Sequence, residues 1–487
     1  MNSFKFLVSK LLLCSLLLFG EASVALSQLP DLNLIPMPKQ VVPKSGVLTL
    51  DDSTKIFTAN EQLQPLAKIL SQSIHRVSDL KILVDNAGNN ETDAAGKADF
   101  VGIRLSIDPQ MKSEEYKISV DQSGQITGSN YRAVSWGVST FIQLLDTSGP
   151  NNNLSVPCVE IVDSPDYEFR SVMIDVARRH HPVQTLKETI ELMWLYKINY
   201  VHLHLSDNRH TAFTSKSLPK LATPGFAHSI EQWKELVEFA DERGVTLIPE
   251  IDVPGHSANW VGRMPELFGS TDPETGKHRS VGIVNMANEK GLEALESLID
   301  DLCDVFASSP YIHVGTDEVG AGSLIGLPEY RPYCEKHGLT EALKGQAHEL
   351  FLHFIQRMNE VVRQRGKQAI SWNDFRGAST KNVQIPTNLV QMIWTGSPVT
   401  MVEKGYPIIN CCWLPLYMVP PQQRAPEDFR IYDWNVRQFQ SWHEKQPTIL
   451  SKDTPIMGAQ VCFWEQRYNE VMPILRTRVP AFSERLW

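Results

Sequence analysis

Asp317 and Glu318 stand side by side after the apolar run Tyr311-Ile-His-Val, and paired carboxylates are what acid–base cleavage of a glycosidic bond requires. Most retaining cleavage divides two carboxylates between different strands, one as nucleophile and one as acid. Neighbours at one strand end diverge, so this pair is not expected to flank a single bond in that way, and the nucleophile is left unassigned. A 2-acetamido sugar can fill the gap itself. Its carbonyl oxygen attacks its own anomeric carbon, giving an oxazolinium ion and conserving configuration. That chemistry assigns Asp317 to orienting the acetamide and stabilising its positive charge. It assigns Glu318 to protonating the leaving group and then deprotonating water.

The elements that must carry such a pair are legible after Asp166. Eight apolar, β-rich runs alternate with amphipathic segments: 171–176, 201–205, 245–249, 311–314, 368–372, 389–394, 408–412 and 457–462. Between His348 and Arg363 the apolar residues Leu350, Phe351, Phe354, Ile355, Met358, Val361 and Val362 form one helical stripe. The fold class expected is α/β: a (β/α)8 TIM barrel catalytic domain over residues 166–487. A small α+β domain precedes it over residues 28–165, with helices near 61–77 and 131–145 and strands near 102–107 and 116–120. Asp175, Asp207, Glu250 with Asp252, Trp372 with Asp374, Trp394, Tyr417 and Trp464 all follow or end a run, which is the catalytic rim of such barrels. Carboxylates among tryptophans suit a sugar, whose apolar C–H faces pack on aromatic rings. For Asp175, Glu250 and Asp252, buried structural hydrogen bonding is as good a reading as substrate contact.

Several ordered motifs resemble one family. Phe169-Arg170-Ser-Val-Met-Ile-Asp175-Val-Ala-Arg178, His202-Leu-His204-Leu-Ser-Asp207, Pro249-Glu250-Ile-Asp252-Val-Pro-Gly255-His256 and His313-Val-Gly-Thr-Asp317-Glu318 are similar to the family 20 β-N-acetylhexosaminidases. Leu34-Ile-Pro-Met-Pro38 and the helix beginning Trp136-Gly-Val resemble that family's small N-terminal domain. The resemblance implies a glycoside hydrolase, an exo-acting β-N-acetylhexosaminidase. It would release terminal β-linked N-acetylglucosamine or N-acetylgalactosamine from an oligosaccharide or glycoconjugate, with retention through an oxazolinium intermediate. By motif, Arg170 would hold hydroxyls of the nonreducing sugar, and Asp207 with His256 would form a polar network around the acid/base Glu318. Trp372, Trp394 and Trp464 would wall the acetamide and ring, and Tyr417 would hold the acetamido oxygen beside Asp317. The chain departs from the family pattern at Thr316, where glycine is usual, and at Asn208-Arg209. It departs again at Val419 and Gln466, where carboxylates for the sugar hydroxyls are expected, so the preferred epimer is open. Ser483-Glu-Arg-Leu-Trp487 resembles the beginning of the helix after the eighth strand, so a barrel truncated at this end is expected.

Composition narrows the partners. Residues 1–27 pair Lys5 and Lys10 with the apolar stretch Leu11 to Phe19 and small residues near Ala25, a secretory signal pattern that implies export to a periplasm or medium. No downstream stretch is apolar enough for stable membrane insertion. The formal net charge of -10 gives phosphate backbones no electrostatic attraction, so nucleic acid is not an expected partner. Of seven cysteines, Cys14 leaves with the leader and the rest are widely spaced with no C-x-x-C, which fits buried thiols and no zinc site. Asn90 and Asn153 open sequons that read equally as plain surface loop. Two rival readings remain. His202, His204, His256, His313 and Asp317 could supply a metal-dependent hydrolase, although alternate inward residues of a strand also explain the histidines. A sugar-binding homologue without turnover is the other, motivated by Val419 and Gln466. No cofactor is called for, since acid, internal nucleophile and electrostatic partner are all supplied.

Overall fold

The computed structural model describes residues 32–58, 60–86, 102–148, 154–420 and 430–487; the expected leader and both sequon asparagines lie outside them. The first part of the chain forms a seven-stranded mixed sheet. Its strands are β1 (Gln40–Leu50), β2 (Lys55–Thr58), β3 (Leu83–Asn86), β4 (Gly102–Ile107), β5 (Tyr116–Val120), β6 (Gly124–Gly128) and β7 (Leu154–Asp163), in the spatial order β1-β7-β5-β6-β4-β2-β3. Alternation sets its faces: Tyr116, Ile118 and Val120 of β5 and Ile126 of β6 turn inward at period two. Helices α1 (Gln64–Ser78) and α2 (Tyr131–Gln143) cover that face. Asn130 caps α2 by accepting the Ala133 N–H. Helix α2 is buried nearly all round, because its far side meets the second part of the chain. There Ser135 Oγ donates to Arg243 O at 2.6 Å and Arg132 Nε to Gly244 O at 2.9 Å.

The second part is a closed parallel barrel. Strands β8 (Phe169–Asp175), β9 (Tyr200–His204), β10 (Thr246–Val253), β11 (Tyr311–Gly315), β12 (Gln368–Trp372), β13 (Val390–Ile393), β14 (Ile408–Asn410) and β15 (Gly458–Phe463) pair in sequence, and β14 and β8 both pair with β15 to close the ring. All eight expected strands are present. The helices differ from strict alternation. Helices α3 (Val183–Leu195), α4 (Ile230–Asp241), α5 (Glu289–Val305), α6 (His348–Gln364) and α7 (Tyr468–Leu486) follow β8, β9, β10, β11 and β15, but among the described residues the connections after β12, β13 and β14 hold no helix longer than five residues. Pro386, Pro398, Pro407 and Pro415 punctuate that stretch, and proline inside a helix removes a hydrogen bond and clashes with the preceding turn.

Two expectations are corrected at the junction of the two parts. Arg170, near the start of β8, lies at the end of the barrel opposite the rim and is fully buried. It donates to Glu114 Oε2 at 3.0 Å, to Lys197 O at 2.9 Å and to Tyr167 O at 2.6 Å, so its donors join the two domains and cannot reach a sugar at the rim. Ser483–Trp487 is not the beginning of the helix after the eighth strand, which already starts at Tyr468. Pro473 and Pro480 interrupt the apolar spacing that would have shown α7 from Tyr468 onward, and this helix covers the flank expected to lie bare. Its neighbour Trp487 donates from Nε1 to Asp163 Oδ2 at 2.7 Å and lies against Arg170 and Lys197, 5.1 and 4.5 Å from its ring centre.

Burial resists charge on Glu114, yet the guanidinium groups of Arg170 and Arg132 hold its carboxyl below the usual range. Glu114→Ala would strand the buried Arg170 charge, and the expected cost is about 3–5 kcal/mol. Urea unfolding checks it: an unchanged midpoint and slope would show that the pair does not hold the domains together.

Candidate active site

Apart from Arg170, the residues expected at the site converge on the C-terminal rim of the barrel. Asp317 and Glu318 follow β11, where the backbone is forced through the left-handed region at Gly315 (φ 65°), Thr316 (φ 82°) and Glu318 (φ 53°). A Cβ at Gly315 would meet Asp252 Oδ1 at 2.1 Å, so only glycine fits there. Thr316 is β-branched and strained at such a φ; its hydroxyl, donated to Trp372 O at 3.3 Å, helps fix it. This turn separates the two carboxylates: Asp317 is largely buried, whereas 62 % of the Glu318 side chain is exposed.

His256 connects them. Its Nδ1 lies 3.2 Å from Asp207 Oδ2, and its Nε2 lies 3.3 Å from Glu318 Oε2 and 3.5 Å from Asp317 Oδ2. Burial opposes charge on this ring, but contacts with Asp207 and Glu318 and then the charge of the Asp252–Asp317 pair override it and push His256 up to about 12. The imidazolium in turn holds Glu318 below the ordinary carboxylate value. Asp252, fully buried within 4.8 Å of His256 and Asp317, is pushed well above that value by desolvation and then by the Asp317 charge. Burial also raises Asp317, with His256 opposing; Asp252 is therefore the member of the pair that keeps a proton, leaving the charge on Asp317. If Glu318 serves as the general acid expected from the sequence, it must be protonated, and activity should fall as pH rises through its titration. Removing the cation that depresses it raises that titration. In His256→Gln the alkaline limb of the kcat/KM profile is therefore expected to move up in pH, with a lower maximum; a limb that stays put or moves down would refute the coupling.

Arg178 was not singled out from the sequence, although it closes the same motif as Arg170. It reaches Asp175 at 3.1 Å and Asp207 at 2.9 Å, with its guanidinium 4.8 Å from the Trp464 ring centre, and so takes the rim position assigned to Arg170. The signal that could have found it is position: Arg178 follows the strand end at Asp175, whereas Arg170 precedes the strand centre. Asp374 was named at the rim without a role. Its Oδ2 accepts the Trp394 indole N–H at 2.7 Å and its Oδ1 the Glu318 N–H at 3.3 Å, and burial followed by the Asp317 charge pushes it up to about 6.

Aromatic rings enclose the remaining space. Trp464 lies 6.0 Å from Trp372 and 5.8 Å from Tyr417, and Tyr417 stacks at 6.2 Å on Trp394, centre to centre. Beneath them Glu250 takes the Trp372 indole N–H at 2.8 Å and contacts His204 at 2.6 Å, His313 at 3.1 Å and His202 at 3.2 Å. His202, Glu250 and His313 lie close enough together to hold a metal ion, but both Glu250 oxygens already meet N–H groups that lock the Trp372 wall. Gln466 is buried with its amide N–H donated to Met418 O at 2.9 Å, and Val419 packs among the barrel's interior apolar residues. All six described cysteines are free thiols.

The model of the glycosyl hydrolase family 20 catalytic domain matches residues 167–487, well over half of the chain. The chain belongs to glycosyl hydrolase family 20. Domain 2 of the same family matches residues 31–164. A β-hexosaminidase from Porphyromonas gingivalis is 28% identical over 378 residues, covering 72% of this chain; the chain spans only 46% of that protein's length. β-Hexosaminidase subunit A1 of Dictyostelium discoideum is 26% identical over 483 residues, covering 96% of this chain and 86% of that protein. The crystal structure of a β-N-acetylhexosaminidase from Bacteroides fragilis superposes with a TM-score of 0.75 at 22% identity, over 93% of this family 20 chain and 90% of the other. A family 20 exo-β-N-acetylglucosaminidase from Vibrio harveyi, solved with N-acetylglucosamine, gives 0.74 at 22% identity, over 93% and 73%. Identities this low speak for the fold.

Proposed function

We propose that this chain is an exo-acting β-N-acetylhexosaminidase that releases terminal β-linked 2-acetamido sugars with retention of configuration. The observation that carries the reading is the Asp207–His256–Glu318 chain of contacts beside a buried Asp317, inside a pocket walled by Trp372, Trp394, Tyr417 and Trp464. Asp317 steers the acetamide oxygen towards the anomeric carbon and balances the positive charge of the oxazolinium ion. Tyr417 donates its hydroxyl to that acetamide, and the tryptophans exclude water while it attacks. Glu318 protonates the departing oxygen, then takes a proton from the water that opens the ring. Arg178, fixed by Asp175 and Asp207, binds hydroxyls of the nonreducing sugar. Related proteins named β-hexosaminidase and the N-acetylglucosamine bound in the Vibrio harveyi structure support the substrate class.

Release of 4-nitrophenol from its β-N-acetylglucosaminide, β-N-acetylgalactosaminide and unsubstituted β-glucoside tests the reading. Both acetamido glycosides should be cleaved and the glucoside left intact, because only an acetamide can supply the internal nucleophile. Equal cleavage of the glucoside would exclude substrate assistance, and binding of the acetamido sugars without any turnover would favour a sugar-binding protein.

A further inference from the structure

A groove of about 610 Å³ opens beside Glu318, within the size range of small-molecule sites. Asp374 lines it, and the same carboxylate takes the Trp394 and Glu318 N–H groups, so the groove adjoins the wall of the pocket. One bank is the turn after the catalytic acid, with Gly320, Gly322 and Ser323; the other is the approach to α6, with Gln346 and His348. We propose that this groove receives the leaving-group sugar and selects an uncharged one over a uronic acid. The inference rests on the hexosaminidase reading, because a leaving group must lie beside the group that protonates it.

Charge decides the selection. Among the lining residues there is no lysine or arginine, and the nearby Lys344 is drawn into an ion pair with Glu341 at 2.9 Å. Asp374, itself a lining residue, is the group that would repel a substrate carboxylate, since Glu318 must carry a proton to act as the acid. The N-terminus of α6 would by itself favour an anion, but Glu349 in its first turn offsets that field. The Glu349 carboxyl accepts the N–H groups of Glu341 and Ala342, at 2.7 and 2.9 Å, and stays below the usual range. What remains for recognition is neutral: the Ser323 hydroxyl, the Gln346 amide, and the His348 ring, which burial holds below its ordinary value. These groups match sugar hydroxyls, and the glycines leave room for a pyranose ring to lie between the banks.

The experiment compares two disaccharides, N-acetylglucosaminyl-β-1,4-N-acetylglucosamine and N-acetylglucosaminyl-β-1,4-glucuronic acid. Wild type is expected to favour the first in kcat/KM by about tenfold or more. Gln346→Arg places a cation in the groove and should narrow that ratio at least fivefold, while the inhibition constant of free N-acetylglucosamine, which occupies only the walled pocket, stays as in wild type. Gly322→Trp is a second variant. A Cβ at Gly322 meets nothing within 4 Å and Gly322 lines the groove, so added bulk there should narrow it, and both disaccharides should lose kcat/KM with the same inhibition constant retained. Equal cleavage of the two disaccharides by wild type, or a ratio untouched by Gln346→Arg, would overturn the assignment while leaving the hexosaminidase reading intact. Failure of wild type on every acetamido glycoside would overturn both.

Discussion

Glu318→Gln is expected to lower kcat/KM for an N-acetylglucosaminyl disaccharide by about 10²–10⁴-fold, the usual weight of a positioned general acid. The loss for the 4-nitrophenyl glycoside should be smaller, because nitrophenolate departs with little help from a proton whereas a sugar alkoxide does not. Two geometric facts carry the expectation. Glu318 is the exposed member of the carboxylate pair, open to a leaving group, and its Oε2 lies 3.3 Å from His256 Nε2, through which it is linked to the buried Asp207. Glutamine keeps the size of the side chain but cannot give up a proton, so binding should persist while turnover falls. Steady-state kinetics on both substrates checks it, and an equal loss on the two would assign Glu318 a role other than proton donation.

Asp317→Asn is expected to cost about 10²–10³ in kcat on every acetamido glycoside, the scale for removing one group aimed at developing transition-state charge. Here the leaving group should make no difference, since Asp317 acts on the acetamide. The buried Asp252–Asp317 pair carries one negative charge, and the amide abolishes it where the oxazolinium ion needs a counter-charge. A variant within threefold of wild type would sink the assignment. The pattern across both variants is the sharper result: sensitivity to leaving group in Glu318→Gln and indifference to it in Asp317→Asn would separate the acid from the acetamide-orienting group.

Much of this was legible in the chain because barrel strands are short apolar runs with polar residues at one end. That pattern placed Asp207, Asp317, Trp372, Trp394, Tyr417 and Trp464 on the rim, and the motif resemblance added His256. It did not distinguish Arg170 from Arg178. The two arginines bracket one strand, and their roles depend on which end faces the rim: Arg170 is buried against Glu114, and Arg178 joins Asp175 and Asp207. Helix α7 was hidden by Pro473 and Pro480, which break the apolar rhythm without ending the helix. Among the described residues the connections after β12, β13 and β14 hold no long helix, and counting strands does not register this, although Pro386, Pro398, Pro407 and Pro415 mark the stretch. Asp374 was seen at a strand end, but its link between Trp394 and Glu318 exists only once three strand ends are brought together. The strain at Thr316 was marked only as a departure from glycine; the φ of 82° gives that departure its physical meaning.

Trp487 has a consequence for how the chain is made. Its indole donates to Asp163 and its carbonyl accepts the Asp166 N–H, so residue 487 closes the seam beside Arg170, whose own partner is Glu114. A ribosome delivers Glu114 and Asp163 more than three hundred residues earlier, well ahead of α7. Until translation reaches the last turn of that helix, Asp163 has no tryptophan lid, although Tyr116 of its own domain already donates to it and Arg170 already meets Glu114. Vectorial synthesis therefore adds the Trp487 contact to a seam that the Glu114–Arg170 pair can already join.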